Sequence, residues 1–174
     1  WPSLSFPLDD TRKSGWLPPI VDLDNRSGLG LAVPYYWNIA PNRDATIIPS
    51  VATRRGFGVD AELRYLEPRF EGQLGVELLP YDRLTGTSRQ ALRFRHEGAV
   101  AGASGVWQEG RYALQVARVS DDDWWKDFPG KKLAFTPRLL PLRLEIERGF
   151  RLANTQGLVY ACVQTWQVQQ SDET

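Results

Sequence analysis

The sequence predicts an all-β fold, an antiparallel sheet of about eight or nine strands running up and down in chain order. Three observations predict it. Prolines and glycines recur roughly every ten residues, no window of about 12 or more between them shows apolar spacing of three and four, and many segments alternate apolar and polar with period two.

Residues 1–12, with an extended stretch at Ser3–Leu8, read as a lead-in, and residues 13–174 as the sheet. The first two expected strands are Ser14–Val21 and Gly28–Tyr36. Ala45–Thr53 and Gly56–Leu66 follow, joined through Arg54 and Arg55. In the latter strand Leu63 and Tyr65 oppose Glu62 and Arg64. Glu71–Tyr81 sets Leu74, Val76 and Leu78 against Gln73, Gly75 and Glu77, and Arg89–His96 sets Leu92 and Phe94 against Arg93 and Arg95. The Gly-rich run HEGAVAGASG reads as a loop before Gly105–Val119, in which Tyr112, Leu114 and Val116 oppose Arg111, Ala113 and Gln115. Pro137–Glu147 and Gly157–Gln169 complete the set, with Leu142, Leu144 and Ile146 opposite Arg143, Glu145 and Glu147.

Alternation alone does not say which face turns outward, because a soluble β-sandwich hides its apolar face and a membrane barrel presents it to lipid. Strands of nine or more residues favour the membrane, since soluble strands usually run about 5–6. No stretch approaches the roughly 20 apolar residues of a spanning helix, which leaves β-barrels open. Of the 21 basic residues 17 are arginine, and there are 7 Trp, 6 Tyr and 7 Phe, as suits amphipathic girdles and a polar inner face. Basic and acidic residues are equal in number, which removes a general electrostatic case for nucleic acid. One histidine, His96, and one cysteine, Cys162, are too few for a soft-metal site or an internal disulfide. The chain begins at Trp1 and contains no methionine, so we expect a piece of something longer.

The run Asp121, Asp122, Asp123, Trp124, Trp125 offers carboxylates for calcium or rings for sugar, but consecutive residues cannot all face one ion, and a solvated loop is the expectation. His96 has no nucleophile motif to serve. Glu145 and Glu147 resemble a glycosidase pair, yet Arg143 beside them makes a salt-bridged face the better account. Cys162 in LVYACVQTWQV is expected to be a buried or lipid-facing small hydrophobe. The arginines of the polar faces could bind phosphate, but acids on adjacent strands are placed to pair with them. Pro18, Pro19, Pro34 and Pro49 fall inside three consecutive strand-like segments. Each removes a ladder donor, and they either end those segments or weaken the pairing so that the sheet can open.

The segments RKSGWLPP and AVPYYWNIAPNRDATIIP, followed by RRG, ELRYLEP, ELLPYD and VSDDDWWKDF, resemble the start of the C-terminal barrel of the LPS-assembly protein LptD (organic solvent tolerance protein) family. The likeness covers most of Ser5 to Phe128; beyond Lys131 only a strand pattern remains. It implies a fragment of a large outer-membrane barrel of a Gram-negative bacterium, with residues 1–12 leading in from a missing periplasmic β-jellyroll domain. Members of that family are plugged by a lipoprotein and deliver lipopolysaccharide to the outer leaflet, without catalytic residues, metal or cofactor. Their barrels open between the first and last strands, and by motif position the gate prolines are Pro19 and Pro34, Pro18 being extra. The jellyroll, the closing strands and the family's disulfide cysteines are absent from this stretch.

The resemblance sets the facing. Leu74, Val76, Leu78, Leu92 and Phe94 should meet lipid, Glu62, Arg64, Glu77, Arg93 and Arg95 the lumen, and SDDDWWKDFPGKK should be a solvated extracellular loop. The alternative from another class is a soluble β-sandwich that binds glycans through its tryptophans.

Overall fold

The computed structural model describes residues 12–103, 105–128 and 139–170. Among the described residues eleven strands are formed: β1 (Gly15–Trp16), β2 (Ile20–Asp24), β3 (Gly28–Ala32), β4 (Tyr35–Ala40), β5 (Arg43–Ala52), β6 (Gly56–Leu66), β7 (Phe70–Asp82), β8 (Thr87–Val100), β9 (Trp107–Val119), β10 (Leu139–Leu152) and β11 (Thr155–Val168). One helical turn, α1 (Trp124–Asp127), lies between β9 and β10. The expected lead-in lies almost wholly outside the described residues, as do Pro137 and Arg138 of the eighth expected strand and the end of the expected loop after Val119.

The strands form one open antiparallel sheet in chain order. Eleven strands make nine passes of the chain, because each of the first two passes is interrupted: β1 and β2 are one, β3 and β4 the next. The later strands are 10 to 14 residues long, and β8 runs through His96–Val100, where a loop was expected. Gly98 in that stretch is a packing site, since a Cβ there would lie 2.8 Å from the Tyr112 hydroxyl. Glycine is needed for its backbone at Gly28, where φ is +77° and a Cβ would come within 2.2 Å of Thr53 Oγ1.

Cross-strand registry sorts the side chains, because directly paired residues share a face. One row reads Asp44, Arg64, Gln73, Arg95, Gln115, Arg143 and Gln164; the row one residue along reads Leu63, Leu74, Phe94, Val116 and Leu142. Such a single sheet gives the sandwich reading no second layer: large apolar residues such as Leu31, Ile47, Leu92 and Val163 stay uncovered, and apart from proline and glycine the buried apolar residues among those described are Leu79, Ala91, Ala117, Trp124 and Leu140.

Candidate functional site

Two features meet at the first strands: a row of prolines and a loop that folds back over the polar face.

Pro18, Pro19 and Pro34 lie where the first two passes break. Leu17 N–H donates to the Pro34 carbonyl at 2.8 Å, and Val33 N–H donates to the Pro49 carbonyl at 3.1 Å. In an antiparallel ladder a hydrogen-bonded pair exchanges two bonds, but proline has no N–H to return. Pro34 therefore gives nothing back to Leu17, nor Pro49 to Val33. Second-pass residues Val33 and Pro34 are thus half-bonded toward both neighbours at one level. Pro18 and Pro19 remove two more donors from the first pass.

Registry also slips there. Trp16 pairs with Tyr35 and Ile20 with Ala32, so three residues of the first pass oppose two of the second. That extra residue is a bulge, and it reverses the facing of the strand. Trp16 lies with Tyr35 on the apolar face, their rings 5.0 Å apart, whereas Ile20 lies with Ala32 on the polar one. Pro34 is buried and Pro19 exposed; Pro49 sits inside an unbroken β5.

Beside the break, the polar face is built of small side chains: Gly30, Ala32, Ser50 and Gly58. Together with Trp124 and Phe128 they line a cavity of about 250 Å³.

Those two rings belong to the segment Ser120–Phe128, which folds inward. The expected solvated loop is found at Ser120, Asp122 and Asp123, which are exposed, and is corrected at Trp124, which is buried. Trp124 is 6% exposed and packs on Ala91 with Val119 and Phe128. Beneath lies an ion cluster. Arg89, 2% exposed, grips Asp121 with two hydrogen bonds of 2.9 and 2.6 Å and reaches Asp127 at 2.5 Å and Asp82 at 3.3 Å. Arg55, 3% exposed, binds Asp82 at 2.5 Å and Asp127 at 3.3 Å. Both guanidiniums also lie over rings: Arg55 is 4.7 Å from the centroid of Phe128, and Arg89 5.5 Å from that of Trp124. Burial by itself would push the Asp121 carboxyl up, but hydrogen bonds from Arg89 and Ser120 outweigh it and hold the group below its ordinary value. Gln169 accepts from Trp125 N–H at 3.2 Å, tying the loop to the end of β11.

Arg89, Asp82 and Arg55 were not singled out from sequence. A signal was present: Trp124 and Phe128 stand four apart, the spacing of one buried helical face, between acids that can meet strand-end arginines.

Glu62, Arg64, Glu77, Arg93 and Arg95 all lie on the one polar face. Arg64 grips Asp44 with bonds of 2.8 and 3.0 Å and has Glu62 at 3.8 Å; Arg95 meets Glu97 at 3.3 Å; Glu77 is buried. Leu74, Val76, Leu78, Leu92 and Phe94 lie on the other face. Arg143 pairs with Glu145, which also accepts from Tyr160 at 2.6 Å. Cys162 is exposed and pairs in register with Glu145, so it sits on the polar face, against its expected apolar setting. His96 lies on the apolar face between Tyr65 and Tyr112, its ring nitrogens 2.7 and 2.8 Å from their hydroxyls. Among the described residues no cluster of His, Cys, Asp and Glu has the geometry to hold a metal.

No family model matches the chain. It is similar to proteins named LPS-assembly protein LptD. That of Acidovorax sp. (strain JS42) is 47% identical over 150 residues, covering 80% of this chain and 18% of the relative. That of Polaromonas sp. (strain JS666 / ATCC BAA-500) is 40% identical over 167 residues, 94% of this chain and 20% of the relative. That of Burkholderia ambifaria is 37% identical over 166 residues, 95% and 20% respectively. The chain thus spans about a fifth of the length of the curated relatives it matches.

Proposed function

Since the chain belongs, as a stretch of about a fifth of their length, to the family of LPS-assembly protein LptD, we propose that it forms the opening strands of an outer-membrane barrel that inserts lipopolysaccharide into the outer leaflet. Residues 13–174 are the first passes of that barrel in a Gram-negative outer membrane, and residues 1–12 enter from a periplasmic jellyroll domain. The row Leu63, Leu74, Phe94 and Val116 meets lipid, while Glu62, Arg64, Glu77, Arg93 and Arg95 face the lumen, where the plug lipoprotein sits. Further strands of the same polypeptide pair with the open edge of β11. The role is transport and assembly, with no catalytic group.

The observation that carries the reading is the pair of one-sided bonds at Pro34 and Pro49 beside the break at Pro18 and Pro19. A ladder short of donors parts at lower cost, each lost bond being worth about 0.5–1.5 kcal/mol. Its first pass is the edge that a closed barrel must join to its last strand, so a lipid leaving sideways meets the weakest pairing there. The small face of Gly30, Ala32, Ser50 and Gly58 leaves room beside it.

Replacing Pro19 and Pro34 by alanine in the full-length barrel restores donors. Lipopolysaccharide should then reach the surface more slowly, and cells should become more sensitive to hydrophobic antibiotics. Unchanged delivery at normal barrel abundance would reduce these prolines to strand ends.

A further inference from the structure

The geometry points to the segment Ser120–Phe128 as a clasp that holds the turn of the first hairpin, with Asp127 as the positioning residue; the inference rests on the reading of the first hairpin as the weakly paired side of the exit seam. Asp127 receives guanidinium groups from three separate connections. Arg89 at the start of β8 lies 2.5 Å away, Arg55 in the turn between β5 and β6 3.3 Å, and Arg26 in the turn between β2 and β3 3.6 Å. Arg26 also donates to the carbonyl of Lys126.

These contacts differ in character. The side chains of Arg55 and Arg89 are 3% and 2% exposed and share Asp82, which is wholly buried, so they anchor the loop permanently. The Arg26 side chain is 52% exposed. An exposed ion pair is weak and reversible, while its buried neighbours are costly to break. The clasp is therefore a fixed anchor with one releasable arm, and that arm reaches the hairpin whose other end carries the prolines.

The cavity lies between the two parts. Gly30 and Ala32 of the hairpin form one wall and Trp124 and Phe128 of the loop another. With Arg26 engaged the hairpin is held against the loop; when Arg26 lets go, the hairpin swings from its weak proline level and the cavity widens toward the seam.

Amide hydrogen exchange of the full-length barrel, in lipid with its partner, reads this motion. Arg26→Gln should speed exchange across residues 20–32 by about two- to fivefold, the order expected for losing one exposed ion pair, and Asp127→Asn by at least as much. Arg43→Gln, which removes a pair with Glu67 at the opposite end of the sheet, should leave those residues unchanged. If Asp127→Asn fails to fold, Arg26→Gln decides, because Arg26 is exposed and lies outside the buried cluster of Arg55, Asp82 and Arg89. Wild-type exchange across the hairpin in Arg26→Gln overturns the clasp. Failure of the seam reading shows separately, as unchanged delivery in the Pro19/Pro34 alanine variant with hairpin exchange still accelerated by Arg26→Gln.

Discussion

Two of the regions that carry proline, the first hairpin and β10, differ in how the sheet answers it. At the first hairpin, Leu17 and Val33 donate to Pro34 and Pro49 and receive nothing back, and both passes break. In β10, Pro141 pairs with Trp166 inside 14 unbroken pairs with β11. Toward β9 the pairing begins only at Leu142, and there the Gln167 side chain spans the gap: its amide donates to the Val119 carbonyl at 3.0 Å and accepts from Val119 N–H at 3.2 Å. Proline alone does not open a sheet. β10 runs through Pro141 unbroken, whereas the first two passes break where prolines stand at one level on neighbouring passes.

The largest effect that sharpens this contrast comes from the clasp. Arg89→Met removes one of the two guanidiniums that Asp82 and Asp127 share, takes from Asp121 the guanidinium that grips it, and should cost about 3–5 kcal/mol in chemical unfolding of the full-length barrel. Arg95→Met, which loses only an exposed pair with Glu97, should stay within about 1 kcal/mol. Equal losses would deny the cluster its anchoring role. Next, arginine in place of Val76 should cost roughly 2–4 kcal/mol if the apolar row meets lipid near the midplane, and labelling of cysteines at 74, 76 and 78 by a water-soluble reagent would reverse the facing. Gln167→Leu should make the β9–β10 end resemble the first hairpin, with faster exchange at Val119 and a cost of about 0.5–1.5 kcal/mol.

The smallest effect is on pH. Asp121 is held below its ordinary value, so its contribution is complete above the unfolded carboxylate value near ~3.9 and is lost as pH falls through the lower folded value. Tryptophan fluorescence from the loop should hold steady from neutral pH to about 4 and change only below it. A transition between pH 5 and 7 would contradict the assignment.

The strands were legible because alternation is local: Leu63 to Tyr65 and Leu92 to Phe94 declare their faces without any partner. Prolines marked the breaks, but not the bulge, which depends on how three residues meet two across the ladder. In β11 neither parity is cleanly polar, so the side of Cys162 was fixed only by its register with Glu145. The inward loop was hidden for a different reason. Three adjacent aspartates look solvated, as Asp122 and Asp123 are, and it takes the distant Arg89 at Asp121 and Arg55 at Asp127 to draw the rest of the loop inward.

The central claim is that the first hairpin is the weakest pairing in the sheet. Residue-resolved amide exchange of the full-length barrel in lipid tests it most directly, comparing residues 17–33 with 142–165 in wild type and in the Pro19/Pro34 alanine variant. The account predicts exchange at the hairpin faster by about tenfold or more in wild type, with the gap narrowed in the variant. Equal protection of the two regions, or a gap that the alanines leave unchanged, would contradict it.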